Sequence, residues 1–346
     1  MARRGVGYTS PNPAVGSVIV KDGEIVARDY HRRAGQPHAE ALALQKAGGA
    51  ARGADLYVTL EPCSFHGRTP PCTESIIAAG IRRVVIGTVD PNPKVNGLGI
   101  KALKKKGLEV VTGVLAESCR ELNRAHSKFI TTWLPLVTVK YAQSLDGRLA
   151  TMTGSSQWIS SEKSLKFAHR LRAQNDAILV GARTAKIDDP QLTVRYIRGK
   201  NPLRMIISGS GNISRRLQLL TDNAAPVIIV TGKAGANKLT RWVGSRAEIL
   251  ILPGRGGQLD LSALLKKLGE RQITSLLVEG GAGIITEFLK QNLVDRIITI
   301  VAPIIVGRGI SAVGDLGIRS IDKAKKIINV QRKKIGPDCA IIGDLK

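Results

Sequence analysis

Pro37-His38-Ala39-Glu40, followed by Glu61-Pro62-Cys63-Ser64-Phe65-His66-Gly67-Arg68-Thr69-Pro70-Pro71-Cys72, is the stretch on which the reading of this chain turns. Imidazole nitrogen and thiolate sulfur are the ligands zinc favours, and a catalytic zinc takes three from the protein and leaves a fourth place for water. His38, Cys63 and Cys72 supply three. Glu40 lies two residues beyond His38, at the start of a predicted helix from Ala39 to Ala47 that can aim both side chains into one pocket. A carboxylate placed there can carry protons to and from a metal-activated water.

This combination is the signature of zinc-dependent deaminases acting on pyrimidine or purine rings, with the glutamate as acid/base and not as ligand. The cysteine spacing departs from the common form. Two residues usually separate the cysteines; here eight do, Ser64 to Pro71, in a polar loop stiffened by two prolines. Such a loop can touch a polar or phosphorylated substrate. A purely structural zinc would need a fourth ligand, for which His66 is the candidate, and would leave the pairing of His38 with Glu40 unexplained. His31 reads as an exposed strand-end residue, and Cys119 and Cys339 as buried or half-buried thiols.

Working outward, Ala14 to Val20 and Glu24 to Tyr30 flank Lys21-Asp22-Gly23 and predict a β-hairpin. Strands follow at Leu56–Leu60, Val84–Ile86 and Glu109–Val111. Between and after them come helices at Thr73–Ala79, Leu98–Lys106 and Cys119–Phe129. A hairpin followed by alternating helices and strands predicts a mixed sheet covered by helices. The run Thr131-Thr132-Trp133-Leu134-Pro135 breaks the pattern, and the domain boundary is expected there, giving domains 1–131 and 132–346. Beyond it, strand patterns at 136–140, 177–180, 205–207, 227–230, 249–252, 276–278 and 297–301 alternate with helices at 162–171, 261–268 and 284–290. A closing hairpin at 327–332 and 340–342 completes an α/β domain with a mostly parallel sheet.

The composition is that of a water-soluble globular chain: 346 residues, 43% hydrophobic and 23% charged, enough for two cored domains. No run reaches the ~18 apolar residues of a membrane helix, and Met1 to Gly5 lacks a signal-peptide core. The expected location is the cytoplasm. The net charge is +25, with Lys+Arg 19 against Asp+Glu 11 up to residue 131 and 33 against 16 after it. This even spread, with only 3% aromatic residues, favours attraction of phosphorylated small substrates over nucleic-acid binding.

The chain also resembles a family, the bifunctional deaminase/reductases of riboflavin biosynthesis. The matching pieces in the first half are Pro11-Asn12-Pro13-Ala14-Val15-Gly16, Pro37-His38-Ala39-Glu40, Thr59 through Cys72, and Asp90-Pro91-Asn92-Pro93. In the second half they are Lys140 through Gly147, Gln157-Trp158-Ile159, Asp188 through Arg195, and Val278-Glu279-Gly280-Gly281. The resemblance implies a cytidine-deaminase-like mixed-sheet domain followed by a dihydrofolate-reductase-like α/β domain. It implies Zn2+ and NADPH as cofactors and a phosphorylated pyrimidine as the substrate. The ring amino group would be hydrolysed first, and the ribosyl group then reduced to ribityl. It implies association of copies through the reductase domain, and no nucleic acid or membrane as partner. It also implies a longer helix ahead of Pro11, of which Met1 to Gly5 is the last turn, so that the first domain is expected to be truncated and to expose apolar surface.

By the same resemblance Asn12 holds the pyrimidine, with His66 and Arg68 as further substrate contacts. The implied NADP contacts are Ala142, Trp158, Thr184, Asp188 and the segment Gly281-Ala282-Gly283. The implied substrate contacts of the second half are Ser156, Arg172, Leu192, Arg195 and Glu279. The residues themselves say less here. A glycine-rich turn from a strand into a helix lets backbone amides approach a phosphate, and arginine suits a phosphate bound in two-pronged fashion. Ser208-Gly209 stands where the family usually has Asp-Ser, whose serine helps bind NADP. A deaminase with an impaired reductase is therefore one alternative. An RNA-acting protein, suggested by the charge, is another.

Overall fold

The computed structural model describes every residue except Arg68, Thr69, Gly256 and Gly257. It divides into two compact units, Met1–Leu134 and Pro135–Lys346.

The first unit opens with the hairpin of β1 (Gly16–Lys21) and β2 (Glu24–Tyr30). Asp22 and Gly23 have φ of 50° and 84°, the paired positive values of a tight hairpin turn. Then come α1 (Ala39–Ala47), β3 (Asp55–Leu60), α2 (Cys72–Ala78), β4 (Arg83–Thr88), α3 (Leu98–Lys105) and β5 (Glu109–Thr112). The sheet order is β2-β1-β3-β4-β5, antiparallel on the hairpin side and parallel from β3 to β5. Ile19, Leu56, Ile76, Ile86 and Leu103 are fully buried between sheet and helices. On the other side a cavity of about 170 Å³ is lined by Val18, Tyr57, Val85 and Leu115, among others, and Tyr57 and Leu115 are exposed.

The single helix expected over Cys119–Phe129 is two, α4 (Ala116–Leu122) and α5 (Arg124–Thr132). The break is at Asn123, whose φ of −110° and ψ of 18° leave the helical range. Its side chain accepts from Ala14 N at 2.8 Å and donates to Ala14 O at 3.2 Å. A long-range clamp on the Pro11–Ala14 loop has displaced local helix continuity.

The second unit starts with β6 (Leu136–Ser144), β7 (Arg148–Thr151), α6 (Glu162–Gln174), β8 (Ala177–Gly181) and α7 (Ala182–Asp188). It continues through β9 (Leu203–Ile207), α8 (Gln218–Thr221), β10 (Val227–Thr231), α9 (Lys233–Leu239) and β11 (Glu248–Ile251). Two short strands, β12 (Gly254–Arg255) and β13 (Gln258–Leu259), precede α10 (Leu261–Glu270), β14 (Ser275–Glu279), α11 (Ala282–Lys290) and β15 (Arg296–Ala302). β16 (Gly309–Ser311) pairs with β7, and β17 (Ile327–Ile335) and β18 (Asp338–Leu345) form the closing hairpin.

The main sheet runs β11-β10-β9-β8-β14-β6-β15-β18-β17. It is parallel from β11 to β15 and antiparallel across the last hairpin. All five residues of β14 are buried, as a central parallel strand covered on both faces requires. In a sheet of this kind ligands bind beyond the carboxyl ends of the central strands. Glu279 ends β14, Lys140 in the middle of β6 pairs with it, and Gly181 ends β8 just ahead of α7.

Candidate active sites

In the first unit two helix starts converge. His38 is the residue capping α1 and Cys72 is the first residue of α2. Helix N-termini favour negative charge, so both ends suit a thiolate-rich site. Cys63 comes from the loop after β3, and that loop is fastened by Glu61. The buried Glu61 carboxylate accepts from Gly97 N at 2.9 Å, Ile100 N at 3.1 Å and Asp90 N at 3.3 Å. A Cβ on Gly99 would meet Pro62 O at 2.0 Å, so the loop can only seat against α3 because that residue is glycine. No local pattern around Glu61 signals this anchoring, because its partners lie 29 to 39 residues away.

His38 Nδ1 lies 3.2 Å from Cys72 Sγ and 3.6 Å from Cys63 Sγ, and Cys72 N donates to Cys63 Sγ at 3.4 Å. Ligands at the usual zinc bond lengths in a tetrahedron are roughly 3.5–3.8 Å apart, so this set fits the metal. Among the described residues these three form the whole cluster, and His66 is not in it. His66 is 73% exposed, 4.0 Å from Glu74. Among the described residues no fourth ligand closes the site. Cys63 is held low, to about 4, by the hydrogen bond with Cys72, against burial and with help from His38. Cys72 is pushed up by Cys63 and by burial.

Glu40 is buried, and burial raises its pKa above the ordinary carboxylate range. Its Oε2 has no hydrogen-bond partner among the described protein groups. A buried acceptor left without a partner is costly, and one beside three groups that could hold a metal is placed to engage a water or substrate. Asn12 Nδ2 meets His31 Nε2 at 3.1 Å, and His31 Nδ1 meets Pro37 O at 3.1 Å. The carbonyl can only accept, so His31 carries its proton on Nδ1 and takes the Asn12 amide on Nε2. His31 is 2% exposed and packs edge-on to His38 at 5.2 Å. The expectation of an exposed His31 is corrected: Asn12, Pro37 and His38 enclose it. Cys339 is exposed, contrary to the expectation of a buried or half-buried thiol, because it faces outward on β18 between the buried Asp338 and Ala340. Arg68 lies outside the described residues.

In the second unit the centre is an ion cluster. Arg172 on α6 grips Glu279 at the end of β14, Nη2 to Oε2 at 2.7 Å and Nε to Oε1 at 3.2 Å. Lys140 pairs in register with Glu279 across β6 and β14. Burial raises the Glu279 carboxyl, but Arg172 and then Lys140 outweigh it and the net shift is downward. Burial lowers the Lys140 ammonium, Glu279 opposes this and Arg172 adds to it. No local pattern marks Lys140; its register against Glu279 brings it to the carboxylate. Arg195 is exposed, with Nη1 donating to Thr193 Oγ1 at 2.8 Å.

Thr184 Oγ1 accepts from Gly281 N at 2.9 Å, which ties α7 to the glycine-rich turn ahead of Ala282 and Gly283. Ser156 hydrogen-bonds Asp188. Ala142 sits on β6 opposite Ile300, and Trp158 is 67% exposed. Leu192 is 1% exposed within the apolar core, with φ of 56°. Ser208 is buried and its carbonyl accepts from Thr231 Oγ1 at 2.6 Å.

Comparison with known proteins bears directly on both units. The family model of the cytidine and deoxycytidylate deaminase zinc-binding region matches residues 1–88, and that of the RibD C-terminal domain matches residues 135–341. The riboflavin biosynthesis protein RibD of Aquifex aeolicus is 47% identical, covering 99% of this chain and 94% of the relative. The chain belongs to the RibD family. The Escherichia coli RibD is 39% identical, covering 99% of this chain and 95% of its own length. Among solved structures, Acinetobacter baumannii RibD superposes with a TM-score of 0.87 at 34% identity, covering 100% of this chain and 96% of that one. A Thermotoga maritima structure superposes at 0.86 with 35% identity, covering 100% and 95%. It is described as a diaminohydroxyphosphoribosylaminopyrimidine deaminase/5-amino-6-(5-phosphoribosylamino)uracil reductase. As a RibD-family chain with both parts present, the protein is a bifunctional deaminase and reductase of riboflavin biosynthesis. Its deaminase part is zinc-binding and its reductase part NADPH-dependent. The RNA-acting and reductase-impaired alternatives gain no support. Among the described residues no helix is long and apolar enough to cross a membrane.

Proposed function

We propose that the first unit hydrolyses the ring amino group of a diaminopyrimidinone carrying a 5-phosphoribosylamino group, and that the second reduces the resulting phosphoribosylaminouracil with NADPH. The observation that carries this is the partnerless Glu40 Oε2 beside the His38, Cys63 and Cys72 cluster. His38, Cys63 and Cys72 would hold zinc, which would supply an activated water at neutral pH. Glu40, raised by burial, takes a proton and returns protons to the ring nitrogen and to departing ammonia. Asn12, steadied by His31, orients the pyrimidine, and His66 is a further substrate contact.

In the second unit Thr184, Asp188, Ala142, Trp158 and the turn at Gly281, Ala282 and Gly283 would hold NADPH, with amides at the start of α11 toward its phosphates. Arg172 uses its fork on Glu279, so the exposed Arg195 is the better candidate for the 5′-phosphate, with Ser156 and the Leu192 main chain beside it. Hydride delivery to the sugar C1′ breaks its bond to the ring oxygen, which then needs a proton. Lys140 Nζ, set against Glu279, is the group that can give it. Alignment and exclusion of water are the protein's remaining tasks.

The same reading makes this a cytoplasmic enzyme of a small phosphorylated substrate, with nucleic acid and membrane as no part of its work. Its copies associate through the reductase unit. Support for association is the edge strand β17, where Ile327, Ile328 and Val330 are 39%, 43% and 43% exposed.

A coupled assay tests the reading. Zinc-loaded protein given the diaminopyrimidinone phosphate should release ammonia and oxidise NADPH, and Glu40→Gln should stop both. In the variant, NADPH oxidation should return when the deaminated compound is supplied. Ammonia release that survives Glu40→Gln would overturn the assignment.

A further inference from the structure

We propose that His169 is a positioning residue of the reductase, whose neutral imidazole fixes the main chain at Arg195 and thereby aims the Arg195 guanidinium at the 5′-phosphate. This rests on the phosphate role given to Arg195 above.

His169 projects from the buried face of α6, one turn before Arg172, and is 3% exposed. Its Nδ1 accepts the Arg195 main-chain N–H at 2.9 Å. A ring nitrogen that accepts carries no proton, so His169 is the Nε2–H tautomer here. An imidazolium could not make this bond. Burial first, then Arg172 and Arg195, hold its pKa down to about 4; Lys140 adds to the lowering and Glu279 opposes it. The ring of Tyr196, the next residue along, stands edge-on to His169 at 4.7 Å and 87°. Two successive residues are thus registered on one imidazole.

The segment needs such support because it is neither helix nor strand and has no ladder of its own. Side chains supply what a ladder would. Arg172 Nη1 donates to Thr193 O at 3.3 Å, Asn201 Oδ1 accepts from Val194 N at 2.8 Å, and His169 takes Arg195 N. Of the three, only His169 holds the residue that bears the guanidinium. Two-pronged binding of phosphate depends on the aim of the fork, so a main chain that drifts at Arg195 weakens binding before it slows chemistry.

The test is steady-state NADPH oxidation by the full chain with the deaminated phosphoribosyl compound and with its dephosphorylated form. His169→Leu should raise KM for the phosphorylated compound on the order of 10-fold, the loss of one hydrogen bond's worth of aim, with kcat changed less than about twofold. His169→Asn, whose Oδ1 falls near the Nδ1 position, should recover most of the loss. With the dephosphorylated compound the parent protein and the His169→Leu variant should show no difference. In an Arg195→Ala background His169→Leu should add nothing, because the two act as one unit. Ammonia release by the first unit, measured on the same samples, reports that the chain is intact. If Arg195→Ala raises KM but His169→Leu does not, or if His169→Asn fails to rescue, the positioning role falls and the phosphate site stands. If Arg195→Ala itself leaves KM unchanged, the phosphate reading falls and takes this role with it. Equal losses with both compounds, additive with Arg195→Ala, would mark His169 as ordinary packing and overturn the proposal.

Discussion

Arg172 and Glu279, separated by 107 residues, are joined by two parallel hydrogen bonds of 2.7 and 3.2 Å with side chains only 13% and 10% exposed. The pair closes the gap between α6 and the carboxyl end of β14. With Lys140 in register on β6, it sets a carboxylate between two cations at the mouth of the reductase sheet.

Breaking that pair should cost more than its formation contributes. Arg172→Met leaves Glu279 buried with Lys140 alone, and a buried pair that loses one partner is destabilised by about 3 kcal/mol. The expected outcome is a lowered unfolding midpoint for the reductase unit and loss of NADPH oxidation, with ammonia release retained. Thermal unfolding followed alongside the two activities checks it; an unshifted midpoint would show that the pair is incidental.

Metal removal should separate the two halves. Chelation of zinc-loaded protein is expected to abolish ammonia release and to leave NADPH oxidation of the deaminated compound unaffected. Cys63→Ser should behave likewise, with the zinc content falling from one per chain toward none on elemental analysis. The reason is that His38, Cys63 and Cys72 all belong to the first unit and the reductase contacts to the second.

Asn123 should matter to a loop it never shares a helix with. Asn123→Leu leaves both the N–H and the carbonyl of Ala14 without their partner in a buried setting, a cost of about 1–3 kcal/mol. Because the clamp steadies the loop bearing Asn12, KM for deamination should rise several-fold while reductase parameters hold. Chemical denaturation and ammonia-release kinetics measure both effects.

The pH dependence of the reductase carries the mark of His169. Its folded pKa, about 4, lies below the unfolded value of 6.5, so the unfolded chain binds the proton more readily. The stabilisation is complete above 6.5 and fades as pH falls from there toward about 4. The stability gap between the parent protein and His169→Asn should therefore narrow between neutral pH and pH 4. Urea titrations at several pH values, with an NMR titration of the imidazole, would show it; a His169 midpoint near 6.5 would contradict the reading.

Much of this was open to inspection before any coordinates. The Lys21-Asp22-Gly23 turn, the Ala/Leu-rich α1 and the alternation of strands with helices are local patterns, and local chemistry is what a sequence displays. The candidate metal ligands are equally local, since few other uses explain a histidine, a glutamate two residues on and two nearby cysteines, and the structure brings His38, Cys63 and Cys72 together. The structure parted from the reading where distant residues compete with local preference. Helix continuity at Asn123 yielded to Ala14, and His31 turned inward to Asn12 and Pro37.

The candidate chemistry of the first half is written in short motifs: which atoms could bind zinc, which carboxylate could carry protons, and that a second α/β unit follows. The grouping of the second half's side chains is set by contacts between distant parts of the chain. Lys140 beside Glu279, Arg172 committed to that carboxylate, and His169 under Arg195 are contacts across 26 to 139 residues of chain. No spacing rule encodes them. They arise because parallel strands in register bring far positions side by side, and because buried charges and polar groups must find partners once water is excluded.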